Sequence, residues 1–71
     1  MAAATYRKGH WKTEVGAEEL ASGKFQGVVL LFHEGGESPE QIRHATTDVF
    51  DTTDGAVAEA KILARHILDD L

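Results

Sequence analysis

The 71-residue chain has no cysteine, which excludes a disulfide framework and any thiolate nucleophile or metal ligand. The usual staples of a small secreted domain are therefore missing, and the expected location is the reducing cytoplasm. Long apolar runs are missing too. The longest, residues 28–32, falls far short of the roughly 20 residues that span a bilayer as a helix. Met1-Ala2-Ala3-Ala4 is too short and too weakly apolar for a signal segment, so a soluble protein with no membrane partner is expected. Positive charge is also scarce, with seven Lys and Arg against twelve Asp and Glu, for a net charge of −5. The deficit is uneven. Arg7, Lys8, Lys12 and Lys24 outnumber the three carboxylates of residues 1–24, whereas Arg43, Lys61 and Arg65 face nine carboxylates over residues 25–71. Duplex DNA repels such a surface unless the few cations gather on one face.

A chain of this length makes one domain, residues 1–71, of which 1–5 offer little to bury and are expected to be disordered. So small a domain buries a modest fraction of its surface and is marginally stable alone. A partner subunit would help.

The clearest local signal is at the end of the chain. At about 100° per residue, Ala56, Val57, Ala60, Leu63, Ala64, Ile67, Leu68 and Leu71 share one arc, while Asp54, Glu59, Lys61, Arg65, His66 and Asp69 lie outside it. This is an amphipathic helix. Thr52 is placed as its N-cap, with Asp54 favourable against the positive end of the helix.

Ahead of it the sequence reads as strands. Residues 6–15 are strand-like, with Trp11, Thr13 and Val15 on one parity and Lys8, His10, Lys12 and Glu14 on the other. Tyr6 breaks the alternation, and a bulge at Gly9 would shift the phase by one residue and turn both rings toward the helix. Residues 16–24 have the composition of a connection, with one helical turn expected over 17–21 before Gly23. In residues 25–34, Val28-Val29-Leu30-Leu31-Phe32 is apolar on both parities, as in a central strand. One helix covers one face, so the second face needs a cover of its own.

Residues 34–40 form a turn by composition. Residues 41–50 admit two readings. Ser38-Pro39-Glu40-Gln41 suits a helix start, and Ile42, Ala45, Val49 and Phe50 fit a helical face. Thr46-Thr47-Asp48-Val49-Phe50, however, favours a strand, and the strand is preferred. The expected fold is α+β: a three-stranded antiparallel sheet with one C-terminal helix packed across one face, β-β-β-α.

No constellation points to catalysis. His33 and His44 would flank the same turn and could meet, with Glu34, at a zinc ion, but the spacing of the four histidines matches no metal-binding pattern. Asp48, Asp51 and Asp54 recur every third residue, which is not the ligand order of a calcium loop. Gly35-Gly36 lacks the rest of a phosphate loop. The residues therefore point to a non-enzymatic module with no cofactor.

Two features suit binding. Val28, Leu30 and Phe32 form the second apolar parity of the central strand, and Ala58 with Ile62 lies opposite the buried helical stripe. Both point to self-association or docking onto another protein. The alternative partner is nucleic acid, held by Tyr6, Arg7, Lys8, His10, Trp11 and Lys12, with cations along phosphate and a ring stacked on a base.

Val49-Phe50-Asp51-Thr52 leading into Ala56, Ala60 and Ala64 resembles the ending of small β-β-β-α modules such as plant AP2-type DNA-binding domains, in which the sheet reads the major groove. The likeness covers about 20 residues, and the chain lacks the arginine and tryptophan array of that sheet, so the resemblance implies a topology and no DNA-contacting residue. The layout is also similar to short uncharacterised bacterial β-β-β-α proteins and to the small-residue helix of HicB-like antitoxin domains.

Overall fold

Gly9 decides the topology. In the computed structural model, which describes residues 3–35 and 40–71, Gly9 adopts φ +58° and forms with His10 a two-residue turn between Ala4–Lys8 (β1) and Trp11–Glu19 (β2). A positive φ at the first central residue followed by a negative one suits the twist of a tight hairpin, and glycine meets it without steric cost. Residues 6–15 are thus two antiparallel strands rather than one bulged strand. Two further strands, Phe25–His33 (β3) and Glu40–Phe50 (β4), complete a four-stranded antiparallel sheet in the order β1-β2-β3-β4. The helix Thr53–Asp69 (α1) follows. The expected β-β-β-α fold is therefore corrected to β-β-β-β-α, within the same α+β class.

Three local expectations change with it. Tyr6 and Trp11 do share a face, because the chain reverses between them: Tyr6 pairs with Thr13 and Lys8 with Trp11. Ala4 and Thr5, expected to be disordered, open β1, and the Ala3 amide donates to the Val15 carbonyl at 2.7 Å. The helical turn over 17–21 is absent, since Ala17, Glu18 and Glu19 continue β2 opposite Gly27, Gln26 and Phe25. Residues 41–50 are strand, as preferred. The turn composition of 34–40 and the competing helix start at Ser38-Pro39 fall largely on residues 36–39, outside the described residues.

Alternation assigns the two faces of the sheet. Thr13 and Val15 of β2 and Val29 and Leu31 of β3 are buried beneath Ala56, Ala60, Ala64 and Leu68 of the helix. Tyr6, Val57, Leu63 and Ile67 close the sides of this core. Alanines every fourth residue let the helix lie close, and Gly27 beneath them has no side chain to hold it off. A Cβ on Gly27 would lie 2.5 Å from the Ala56 carbonyl oxygen and 2.9 Å from the Ala60 Cβ.

The helix is pinned at both ends. Thr52 is the N-cap, its hydroxyl accepting the Gly55 amide at 3.0 Å, which satisfies one of the free first-turn donors. At the far end the Lys8 amine donates to the Leu68 and Leu71 carbonyls at 2.9 and 3.1 Å, a cation placed where the helix dipole is negative. Its axis therefore runs from the end of the sheet where Phe25 pairs with Phe50, beside the β2–β3 loop, to the β1–β2 hairpin. Next to Gly27, β4 carries a bulge between its pairings with Gln26 and Val28. There the Thr46 hydroxyl accepts the Gly27 amide at 3.1 Å and donates to the Asp48 carbonyl at 2.9 Å, so a buried polar side chain is satisfied.

Candidate interaction surface

The pairing that buries Val15 and Val29 under the helix sends their neighbours to the opposite side. Across β2, β3 and β4 this open face carries three rows: Lys12, Phe32, Gln41; Glu14, Leu30, Arg43; and Gly16, Val28, Ala45. Val28, Leu30 and Phe32 are each half-buried, by long side chains on either flank rather than by a second layer. Among the described residues no element lies on this face.

Those flanking side chains are charged and mutually paired. The Lys12 amine lies 3.4 Å from a Glu14 carboxylate oxygen and 3.6 Å from Glu34, and 4.9 Å from the centre of the Phe32 ring, within cation–π range. Arg7 pairs with Glu34 at 3.2 Å. Arg43 of β4 pairs with Glu18 of β2, so that this ion pair passes over β3. Among the described residues three cations and three carboxylates frame the apolar strip, and their charges sum to zero. Its relief is uneven. Phe32 and Lys12 stand at one end, whereas a concave trough of about 650 Å³, floored at Gly16 and lined by Glu14, Glu18, Val28, Leu30 and Arg43, occupies the other. A Cβ on Gly16 would meet nothing within 4 Å.

Of the residues singled out by sequence, Val28, Leu30 and Phe32 come together here. Ala58 and Ile62 do not join them: both are exposed on the outer side of the helix, beyond the opposite face of the sheet. The nucleic-acid set is divided as well. Tyr6 packs against the core with Arg65 5.5 Å from its ring centre, Trp11 stacks on His33 at 4.3 Å between centroids, and Lys8 caps the helix. Arg7 and Lys12 lie on the open face, and His10 is in the turn.

His33 and His44 do not meet. His33 is opposite Glu40 and His44 opposite Val29, about 13 Å apart along the strands at about 3.3 Å per residue. Among the described residues no group of three His, Asp or Glu side chains could hold a metal ion, and no helix is long and apolar enough to cross a membrane.

Sequence reasoning missed Gly16, Glu18 and Arg43. The first two lie in a stretch with the composition of a connection, and the relation of Arg43 to Glu18 requires the register of three strands. No family model matches the chain, and no curated protein or solved structure matches it.

Proposed function

We propose that this protein is a non-enzymatic contact module that acts through the open face of its sheet, and that the partner seated there is a second copy of the chain. The observation that carries this reading is the apolar strip of Val28, Leu30 and Phe32 on the face turned away from the helix, inside a frame of charges that sums to zero. A neutral face with both signs interspersed is complementary to itself, as a two-fold contact requires. A domain of this length gains from a second layer that removes further apolar surface from water.

The nucleic-acid reading is less well supported. Arg7 and Lys12 are bound to carboxylates, Lys8 is bound to helix carbonyls, and Tyr6 and Trp11 are turned toward the helix. Phosphate would have to displace those partners, and the rings are not on the face that carries Arg7 and Lys12.

Sedimentation equilibrium at up to about 0.5 mM chain, above the Kd of even a weak contact, is the test. A reversible dimer is expected, and Leu30→Lys should give a monomer with unchanged far-UV circular dichroism. A wild-type chain that stays monomeric over that range overturns the reading.

A further inference from the structure

We infer that the two copies meet face to face about a two-fold axis that crosses the strands at the Val15–Val29–His44 row, so that Lys12 of each copy pairs with Glu18 of the other. This inference rests on the open-face reading above and specifies its geometry. Val15 is opposite Val29 and Val29 opposite His44, so one level runs across three strands. Rotation by 180° about that level turns the face over, reverses the strands and keeps β2 above β2.

Each residue then meets the one equally far on the other side of the level. Lys12 is three residues before Val15 and Glu18 three after, which sets a cation over a carboxylate twice in each dimer, each shared with the partner it has within its own chain, Glu14 and Glu34 for Lys12 and Arg43 for Glu18. Glu14 is set over Gly16, where the trough is open. Leu30 is set over Val28, and Arg43 over Ala45. In each of these exchanges the larger group meets the smaller one or the positive group the negative, and Phe32 is set over Gln26. Sheets packed in this way lie about 10 Å apart with strands within about 30° of alignment, a separation that a lysine and a glutamate can bridge.

Other two-fold arrangements fit less well. An axis one row away, at Leu30, sets Glu14 against itself. An axis running along β3 pairs Glu14 with Arg43, but it sets Phe32 on Phe32 and Leu30 on Leu30, bulk against bulk, and faces Gly16 with Ala45, so that no large group enters the trough.

The arrangement also accounts for Gly16. Its backbone is ordinary strand, its missing side chain relieves no contact within the chain, and glycine weakens a strand interior. Space at that point has a use only when something enters it.

Charge reversal on an isologous contact gives a test with a distinctive outcome. Lys12→Glu and Glu18→Lys each place like charges together twice, and each variant alone should self-associate at least about tenfold more weakly than wild type. Mixed in equal amounts, the two should form a one-to-one heterodimer, because both crossed pairs are again opposite in sign. Gly16→Tyr should also weaken association, because a Cβ there meets nothing within 4 Å and the ring would occupy the trough. Far-UV circular dichroism and urea titration of each variant, at chain concentrations too low for self-association, report on its fold separately.

A dimer that survives both reversals but is lost in Leu30→Lys overturns this geometry and leaves the open-face reading standing. Variants that remain monomeric when mixed also overturn it. A monomeric wild type overturns both.

Discussion

The two faces of the sheet solve the same problem differently, and two glycines of adjacent strands show how. Gly27, on the helix side, is filled to contact: Thr46 Cγ2, the Ala56 carbonyl and Ala60 Cβ all lie where its side chain would begin. Gly16, on the open side, borders empty space. One absent side chain lets the helix approach, while the other leaves a trough. The helix side is thus a closed interior, with no room at Gly27 for even a methyl group. The open side is apolar at its centre and charged at its rim, which is the pattern on which the proposed contact rests.

The sharpest way to break that comparison is to give both glycines the same methyl group. At Gly27→Ala the Cβ would collide with backbone, which cannot swing aside as a flexible side chain would. Overpacking of this kind costs about 1–3 kcal/mol or more, a large share of the stability of so small a domain. A urea titration should show a midpoint far below that of wild type. At Gly16→Ala no atom is in the way, and replacing glycine in a strand interior should leave stability unchanged or raise it by a few tenths of a kcal/mol. Equal losses at the two sites would mean that the faces are not different in kind.

Leu30→Lys and Val29→Ala sharpen the contrast on neighbouring residues of one strand. Val29 is fully buried beneath the helix, and trimming it should cost about 1–3 kcal/mol by lost burial and a residual cavity. Leu30 points the other way, is half-buried and should cost little in the urea midpoint at chain concentrations too low for self-association, while abolishing the proposed dimer. If Leu30→Lys unfolds the chain at low concentration, the open face belongs to the core of the monomer.

A smaller effect tests how firmly the helix side is closed. Thr52→Ala removes the acceptor of the Gly55 amide and should cost about 0.5–2 kcal/mol. Because the cap is remote from the open face, self-association of the folded fraction should not change.

These faces were only partly legible in the sequence. The helix and its Thr52 cap were readable because a 3.6-residue period persists over many residues and the cap is a local hydrogen bond. The strand nature of 41–50 followed from Thr46, Thr47, Val49 and Phe50, whose branched and aromatic side chains suit a pleated surface. The first hairpin was missed because its turn is only Gly9-His10, without the Asn-Gly or Asp-Gly pair that usually marks one, and because alternation alone reads equally well as one bulged strand. The far half of β2 was missed for a different reason. Gly16-Ala17-Glu18-Glu19 has turn and helix composition, and only pairing with residues 25–28 makes it extended, a tertiary override of local preference. Val28, Leu30 and Phe32 were visible as a second apolar parity, but their charged frame depends on which residues of three strands stand level, and one strand read alone does not contain that.

The smallest expected effect concerns the clip that closes the helix-entry end of the sheet. Lys24, in the loop between β2 and β3, is ion-paired and hydrogen-bonded to Asp51, just before the helix. The hydrogen bond from Lys24, and then its charge, hold the Asp51 carboxyl below its ordinary value of 3.8. The folded chain therefore binds that proton less readily than the unfolded chain does. The contribution to stability is complete above pH 3.8 and is lost as the pH falls through the lower folded value. Both groups are exposed, so salt should screen the effect. Acid titrations of wild type and Asp51→Asn, followed by circular dichroism, should differ in slope only below pH 3.8, and should converge in high salt. Persistence of that difference in high salt would mean that the clip is shielded from water, and the helix side would then be closed further toward its rim than the exposure of Lys24 and Asp51 implies.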